Sequence, residues 1–186
     1  MGLVEIADNN IDSHILWQDL YSVLVEHDLL DRNQVSLTSI SGDNDWSCSV
    51  GKMKDLEYPE RYYSTTNKAF EGTSIPKLFE KYPQFYRWRL LKISPKQTYS
   101  VHMDSLDQRN NIRLHVPVKT NERAFLAFYL QVPRHQQAVK VEHFHLEQGK
   151  SYFVNTSGFH TAVNYGDDHR YHIVGVRYEN STDRTH

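Results

Sequence analysis

From Arg87 onward the sequence is a succession of short segments in which apolar and polar residues alternate: RWRLLKIS, YSVHMD, NIRLHVPV, AFLAFYLQV, AVKVEHFHL, KSYFVN, HTAVNY and RYHIVGVRY. Alternation with period two sends successive side chains to opposite faces of a strand. Turn residues close each segment, and no helix-length pattern separates them, which argues against a parallel α/β sheet. Strands at roughly 8 to 12 residue spacing predict a β-sandwich or jelly roll.

The preceding third reads differently. DSHILWQDLYSVLVEHDLLDR places Leu16, Leu20, Val23, Leu24 and His27 at helical spacings behind a Ser or Asp cap, which predicts an amphipathic helix lying on the core. Between Ser39 and Thr73 the text is polar and rich in turn residues, so loops with at most a short strand are expected. IPKLFEKY after Ser74 predicts a short helix with Pro76 in its first turn. We expect one domain over residues 1–186, with 1–86 as a helical and loop support region and 87–180 as the β core.

Composition narrows the partners. The chain has 21 Lys and Arg against 23 Asp and Glu, a net charge of -2, so nothing in its charge favours nucleic acid or an anionic membrane, and neither is expected as a partner. The single cysteine, Cys48, cannot form an internal disulfide. No apolar run approaches the roughly 20 residues of a bilayer span. The segment MGLVEIADNNIDSH lacks a secretory pattern, and Ile6 stands where myristoylation wants Ser or Thr. A cytoplasmic setting is expected. Twelve tyrosines and three tryptophans fit a pocket lined by amphipathic rings, with Tyr62, Tyr63 and Trp88 either lining it or packing.

The compositional oddity is 11 histidines, most of them in the second half. Two His-x-acid pairs occur, His102-x-Asp104 and His145-x-Glu147, and such pairs also arise by chance in a chain so rich in both residue types. On a strand, positions i and i+2 share a face, so His102 and Asp104 could grip one metal ion. His160, after a Gly turn, is a candidate for the second histidine of a facial triad. A rival cupin-like set uses His143, His145, Glu147 and His160, although only one hairpin separates His145 from His160; the bland account makes His143 and His145 solvent-facing. Ten residues beyond His160, Arg170 shares a strand face with Val174, Val176 and Tyr178. A buried guanidinium there wants a carboxylate, whereas a strand-end arginine would reach water.

Taken in order, RLLKISPKQTYSVHMD, IRLHVPVKTN and LEQGKSYFVNTSGFHTAVNYGDDHRYHIV resemble the aspartyl/asparaginyl β-hydroxylase family of Fe(II)- and 2-oxoglutarate-dependent oxygenases, which includes bacterial proline hydroxylases. The resemblance spans about Arg87 to Tyr178 and implies a double-stranded β-helix. It also implies His102, Asp104 and His160 as catalytic iron ligands, Arg170 as the clamp on the distal carboxylate of 2-oxoglutarate, and Arg113 and His115 as the family's Arg-x-His beside the co-substrate. The implied reaction consumes molecular oxygen and 2-oxoglutarate, releases succinate and carbon dioxide, and hydroxylates an amino acid, either as a small molecule or within a peptide. Some animal members bind iron with two histidines alone, so Asp104 points to the bacterial type of site. A serine that assists the clamp in some members is replaced here by Leu91. A cupin-like metal-dependent isomerase or lyase and a non-catalytic jelly-roll binding module are the alternatives; neither has a use for Arg170.

Overall fold

The computed structural model describes residues 3–51, 56–104, 112–130 and 140–177. After a first strand, β1 (Val4–Asp8), the predicted amphipathic helix forms as α1 (Ser13–Glu26). Its cap is Asp12, whose Oδ1 accepts from the Ile15 N–H at 3.1 Å, satisfying one of the free donors of the first turn. Leu16, Leu20, Val23 and Leu24 form its buried stripe. Leu20 is wholly buried, and truncating it to alanine would cost about 2–5 kcal/mol. The second helix, α2 (Ile75–Lys81), starts with Pro76 in its first turn, as expected.

The remaining strands are β2 (Gln34–Ser36), β3 (Thr38–Ser39), β4 (Thr65–Thr66), β5 (Phe85–Ile93), β6 (Gln97–Thr98), β7 (Ile112–Lys119), β8 (Ala124–Tyr129), β9 (Val141–Phe144), β10 (Ser151–Asn155), β11 (Phe159–Asn164) and β12 (Arg170–Arg177). They build a six-stranded sheet in the order β1-β10-β7-β12-β5-β2 and a four-stranded sheet in the order β6-β11-β8-β9, with β3 and β4 as a separate pair. Neighbours in both sheets run antiparallel. The fold is mainly β with two helices, a double-stranded β-helix or jelly roll. No helix among the described residues is long and apolar enough to cross a membrane.

Two predictions change. YSVHMD does not form a continuous strand: Gln97–Thr98 pair with β11, and beyond them only His102 bridges to His160. The segment before residue 87 supplies more than helices and loops, because β1 and β2 are the two edge strands of the large sheet.

The large sheet has two differently used faces. Leu90 and Trp88 of β5, Leu114, Val116 and Val118 of β7, and Tyr171 and Ile173 of β12 join the side chains of α1 and α2 in the principal core. The opposite face looks at the smaller sheet, where Tyr152 and Val154 of β10 meet Leu126 and Phe128 of β8.

Strand β5 carries an irregularity that matters for the site. Phe85 and Trp88 both belong to the principal core, yet positions three apart on a regular strand face opposite ways. Arg87 resolves the conflict with a left-handed backbone, φ 49, at the register shift where Val176 pairs with Tyr86 and Val174 with Arg89. This is a β-bulge, which inserts a residue and resets the alternation. Trp88 then stacks on Phe79 of α2 at 4.6 Å, and Gly175 opposite it must lack a side chain, since a methyl would come within 2.9 Å of the indole. Arg89 is turned to the inner face. Trp88 and Tyr63, both buried, are packing residues, whereas Tyr62 is half exposed.

Candidate metal centre and its arginines

His102 and His160 are brought face to face by the bridge between their backbones. The His102 N–H donates to the His160 carbonyl at 3.0 Å and the His160 N–H to the His102 carbonyl at 2.9 Å. Their rings lie 4.5 Å apart. His102 Nδ1 is 2.8 Å from the Ser100 carbonyl and His160 Nδ1 is 2.9 Å from the Gly158 carbonyl. A carbonyl can only accept, so each Nδ1 donates its proton there, which leaves Nε2 as the atom that each ring would offer to a metal ion. Both Nε2 atoms face the same carboxylate oxygen, Asp104 Oδ1, at 3.3 Å from His102 and 3.9 Å from His160. The ligand atoms of the three residues lie within 4.8 Å of one another, and this is the single such group among the described residues. Two imidazole nitrogens and one carboxylate gathered on one side are the donor set of a non-haem iron site; the residues fit such an ion.

The carboxylate is held from behind. Arg113 Nε donates to Asp104 Oδ2 at 2.8 Å. Burial alone would raise the Asp104 carboxyl, but the His102 hydrogen bond and the Arg113 charge outweigh it and hold the group well below the usual carboxylate range. The same hydrogen bond raises His102, while burial lowers His160. Phe128 stacks against the His160 ring at 5.8 Å, keeping water from that side.

Glu60, on a 3-10 turn over Glu60–Tyr62, was not singled out from the sequence. Its carboxylate pairs with Arg87 Nη1 and lies 3.9 Å from Arg113 Nη1. Arg87 also donates from Nε to the Ser49 carbonyl at 2.9 Å and from Nη2 to the Gly51 carbonyl at 2.8 Å. No local pattern marks Glu60, because its partners are distant in sequence.

Strand β12 brings in Arg170. Asn164 Nδ2 donates to the carbonyls of Ile93 at 3.0 Å and Asp168 at 2.8 Å, which fixes the reversal from β11 into β12. Arg170 is 2% exposed. Its Nη2 donates to His172 Nδ1 at 3.0 Å, and no carboxylate pairs with it among the described residues. Burial pushes its guanidinium down to about 9, still charged at neutral pH. His115 lies on the same inner face, with Nδ1 lacking a partner. Burial, then the charge of Arg170, hold its imidazole neutral, and Asp104 and His160 also act on it. His115 therefore lies within electrostatic reach of both Arg170 and the triad. Tyr178, expected beside Arg170, lies outside the described residues.

The cupin-like set does not assemble. His143 pairs with Ala127, whereas His160 pairs with Phe128, so the two histidines occupy opposite faces of the small sheet. His143, His145 and Glu147 are exposed, His145 Nδ1 is 2.8 Å from the Ala124 carbonyl, and Glu147 pairs with Lys150 at 2.8 Å.

No known protein-family profile matches the sequence, and no curated protein matches it. Among solved structures, AviO1 from Streptomyces viridochromogenes Tue57 aligns with 96% of this chain and 90% of its own length, at a TM-score of 0.54 and 10% identity. The fold is shared. The non-heme monooxygenase ThoJ, in its apo form, aligns with 94% of this chain and 74% of its own length at a TM-score of 0.48 and 10% identity. An oxidoreductase of the 2OG-Fe(II) oxygenase family from Burkholderia pseudomallei aligns with 55% of this chain at a TM-score of 0.40 and 11% identity, and the matched part spans 48% of that protein.

Proposed function

We propose that the chain is a cytoplasmic Fe(II)- and 2-oxoglutarate-dependent oxygenase that hydroxylates an amino acid, free or within a peptide, in the manner of the aspartyl/asparaginyl β-hydroxylase group. The observation that carries this reading is the pairing of a His102, Asp104 and His160 donor set with a buried Arg170 that has no carboxylate partner among the described residues. A metal-binding module or a cupin-like isomerase has no use for that arginine. An oxygenase needs it for the far carboxylate of the keto acid.

In this reading His102 and His160 hold iron through Nε2, with Nδ1 fixed by the Ser100 and Gly158 carbonyls. Asp104 contributes Oδ1, because Oδ2 is engaged by Arg113. Arg170 orients the co-substrate, and His115, neutral beside it, can donate or accept one hydrogen bond without adding charge. Phe128 keeps the His160 side dry. When bound, iron and 2-oxoglutarate would supply the oxidising power, releasing succinate and carbon dioxide; the protein positions the reactants. Supporting the reading is a fold that suits it and a donor set that fits the metal.

The test is a titration of 2-oxoglutarate into the anaerobic Fe(II) protein. A weak visible charge-transfer band that saturates with the keto acid is expected; its absence at stoichiometric iron would overturn the oxygenase reading.

A further inference from the structure

The inner face of the large sheet carries more positive charge than the proposed reaction uses. Arg87 is matched by Glu60 and Arg113 by Asp104. Among the described residues two guanidinia remain without a carboxylate partner, those of Arg170 and Arg89. Arg89 is 8% exposed. Its Nη1 reaches only the Gln34 Oε1 amide oxygen at 3.4 Å, and its Nε has no partner. The neighbouring cations Arg87 and Arg113 act on it, as do the Glu60 and Asp104 carboxylates of the site, and burial first and those cations second push it down to about 9.

Register separates these two arginines. Arg89 pairs with Val174, which in turn pairs with His115, while Arg170 pairs with Ile93. Ile93 lies four positions along the strand from Arg89, about 13 Å. A single keto acid whose first carboxylate is at the metal has one carboxylate left to offer, and a divalent metal adds positive charge. An unpaired buried guanidinium is costly unless an anion arrives to meet it.

We infer that Arg89, assisted by the Gln34 side chain, binds a carboxylate of the substrate, so that the molecule hydroxylated is itself an anion. This rests on the oxygenase reading for its reaction but not for its anion site. Gln34 Nε2 donates to the Tyr99 hydroxyl, and Tyr99 is exposed, so Arg89 and Gln34 lead from the rim inward. The carboxylate can be the α-carboxylate of a free amino acid or an acidic side chain within a peptide.

The anion site is tested on metal-free protein with acetate as the probe. Wild type should gain thermal stability as acetate is added, Arg89→Met and Arg170→Met should each lose part of that gain, and the double variant should lose all of it. Without acetate, Arg89→Met should melt at or above the wild-type temperature, because an unpaired buried charge has been removed, whereas Arg87→Met should melt lower. An Arg89→Met variant that melts as low as Arg87→Met, or gains as much from acetate as wild type, would overturn the inference. The source is assigned on the Fe(II)·2-oxoglutarate protein by succinate release, comparing free L-amino acids, their carboxamides, and N-acetyl carboxamides of Asp and Glu. Stimulation by free acids alone assigns the α-carboxylate; stimulation by the blocked Asp or Glu compounds assigns a side chain. Arg89→Met should raise the half-saturating concentration of the stimulating compound by on the order of 30-fold or more. Equal stimulation by compounds without any carboxylate overturns the inference. Loss of the 2-oxoglutarate band in wild type would strike the oxygenase reading alone and leave the acetate result standing.

Discussion

Arg113 Nε lies 2.8 Å from Asp104 Oδ2, while Asp104 Oδ1 faces the Nε2 atoms of both His102 and His160. One arginine thereby holds one carboxylate oxygen and leaves the other facing the candidate metal site. Its role at the site is broader than the co-substrate contact expected from the sequence. In the proposed oxygenase, replacing Arg113 with Met would free Oδ2 to join the metal and so occupy a position that the keto acid needs. Iron should still bind stoichiometrically to Arg113→Met, while the apparent affinity for 2-oxoglutarate falls about tenfold or more. Metal analysis with the anaerobic titration checks this, and loss of iron with normal keto-acid binding to any residual Fe(II) protein would count against it.

His102→Ala and His160→Ala should each abolish stoichiometric iron binding and leave the fold intact, since each removes one of three proposed ligands. Asp104→Ala should be milder in iron binding. His143→Ala and His145→Ala are the controls: both residues are exposed and outside the triad, so iron and turnover should persist. Iron loss in the controls alone would move the metal to a different site.

The order Arg, Lys, Met at position 170 should be the order of falling affinity for 2-oxoglutarate. Lys keeps the charge and loses the planar fork; Met loses both. Removing one partner of a desolvated charge pair costs about 2–5 kcal/mol, so Arg170→Met should bind the keto acid at least ~30-fold more weakly while holding iron normally. Equal dissociation constants for wild type and Arg170→Met would make Arg170 an ordinary core arginine.

The metal-free protein should weaken in mild acid because of His172 and His115. Burial first, then Arg170, keep both imidazoles neutral in the fold, whereas the unfolded chain protonates them near about 6.5. The unfolded state then binds more protons as the pH falls. Stability is complete above that value and declines below it, by up to about 1.4 kcal/mol per pH unit for each histidine. Denaturant midpoints from neutral to mildly acid pH should fall steeply for wild type and less steeply for His172→Gln. Parallel curves would show that His172 is protonated in the fold.

Much of the architecture is local and could be read from the chain. The helical spacing of Leu16, Leu20, Val23 and Leu24 gives α1 its buried stripe, and period-two alternation marks β7, with Leu114, Val116 and Val118 toward the helices and Arg113 and His115 inward. The candidate triad was likewise named from the chain as His102, Asp104 and His160, through the resemblance to the hydroxylase family, and the fold gathers their ligand atoms within 4.8 Å. YSVHMD shows the limit: it alternates like a strand, yet His102 makes only a single bridge.

What the sequence by itself determined is therefore the jelly-roll pattern, the amphipathic helix and the identities of the candidate ligands, since each depends on residues a few positions apart and on their chemical type. Only the tertiary structure decided how charges meet. Glu60 reaches Arg87 across 27 positions and Asp104 reaches Arg113 across nine, and the bulge at Arg87 turns Arg89 inward. It also left Arg170 and Arg89 without a carboxylate partner among the described residues. The physical reason is that pairing inside a low-dielectric core depends on which side chains two sheets bring within a few ångströms, and strand register and bulges, set by packing of the whole chain, fix those distances.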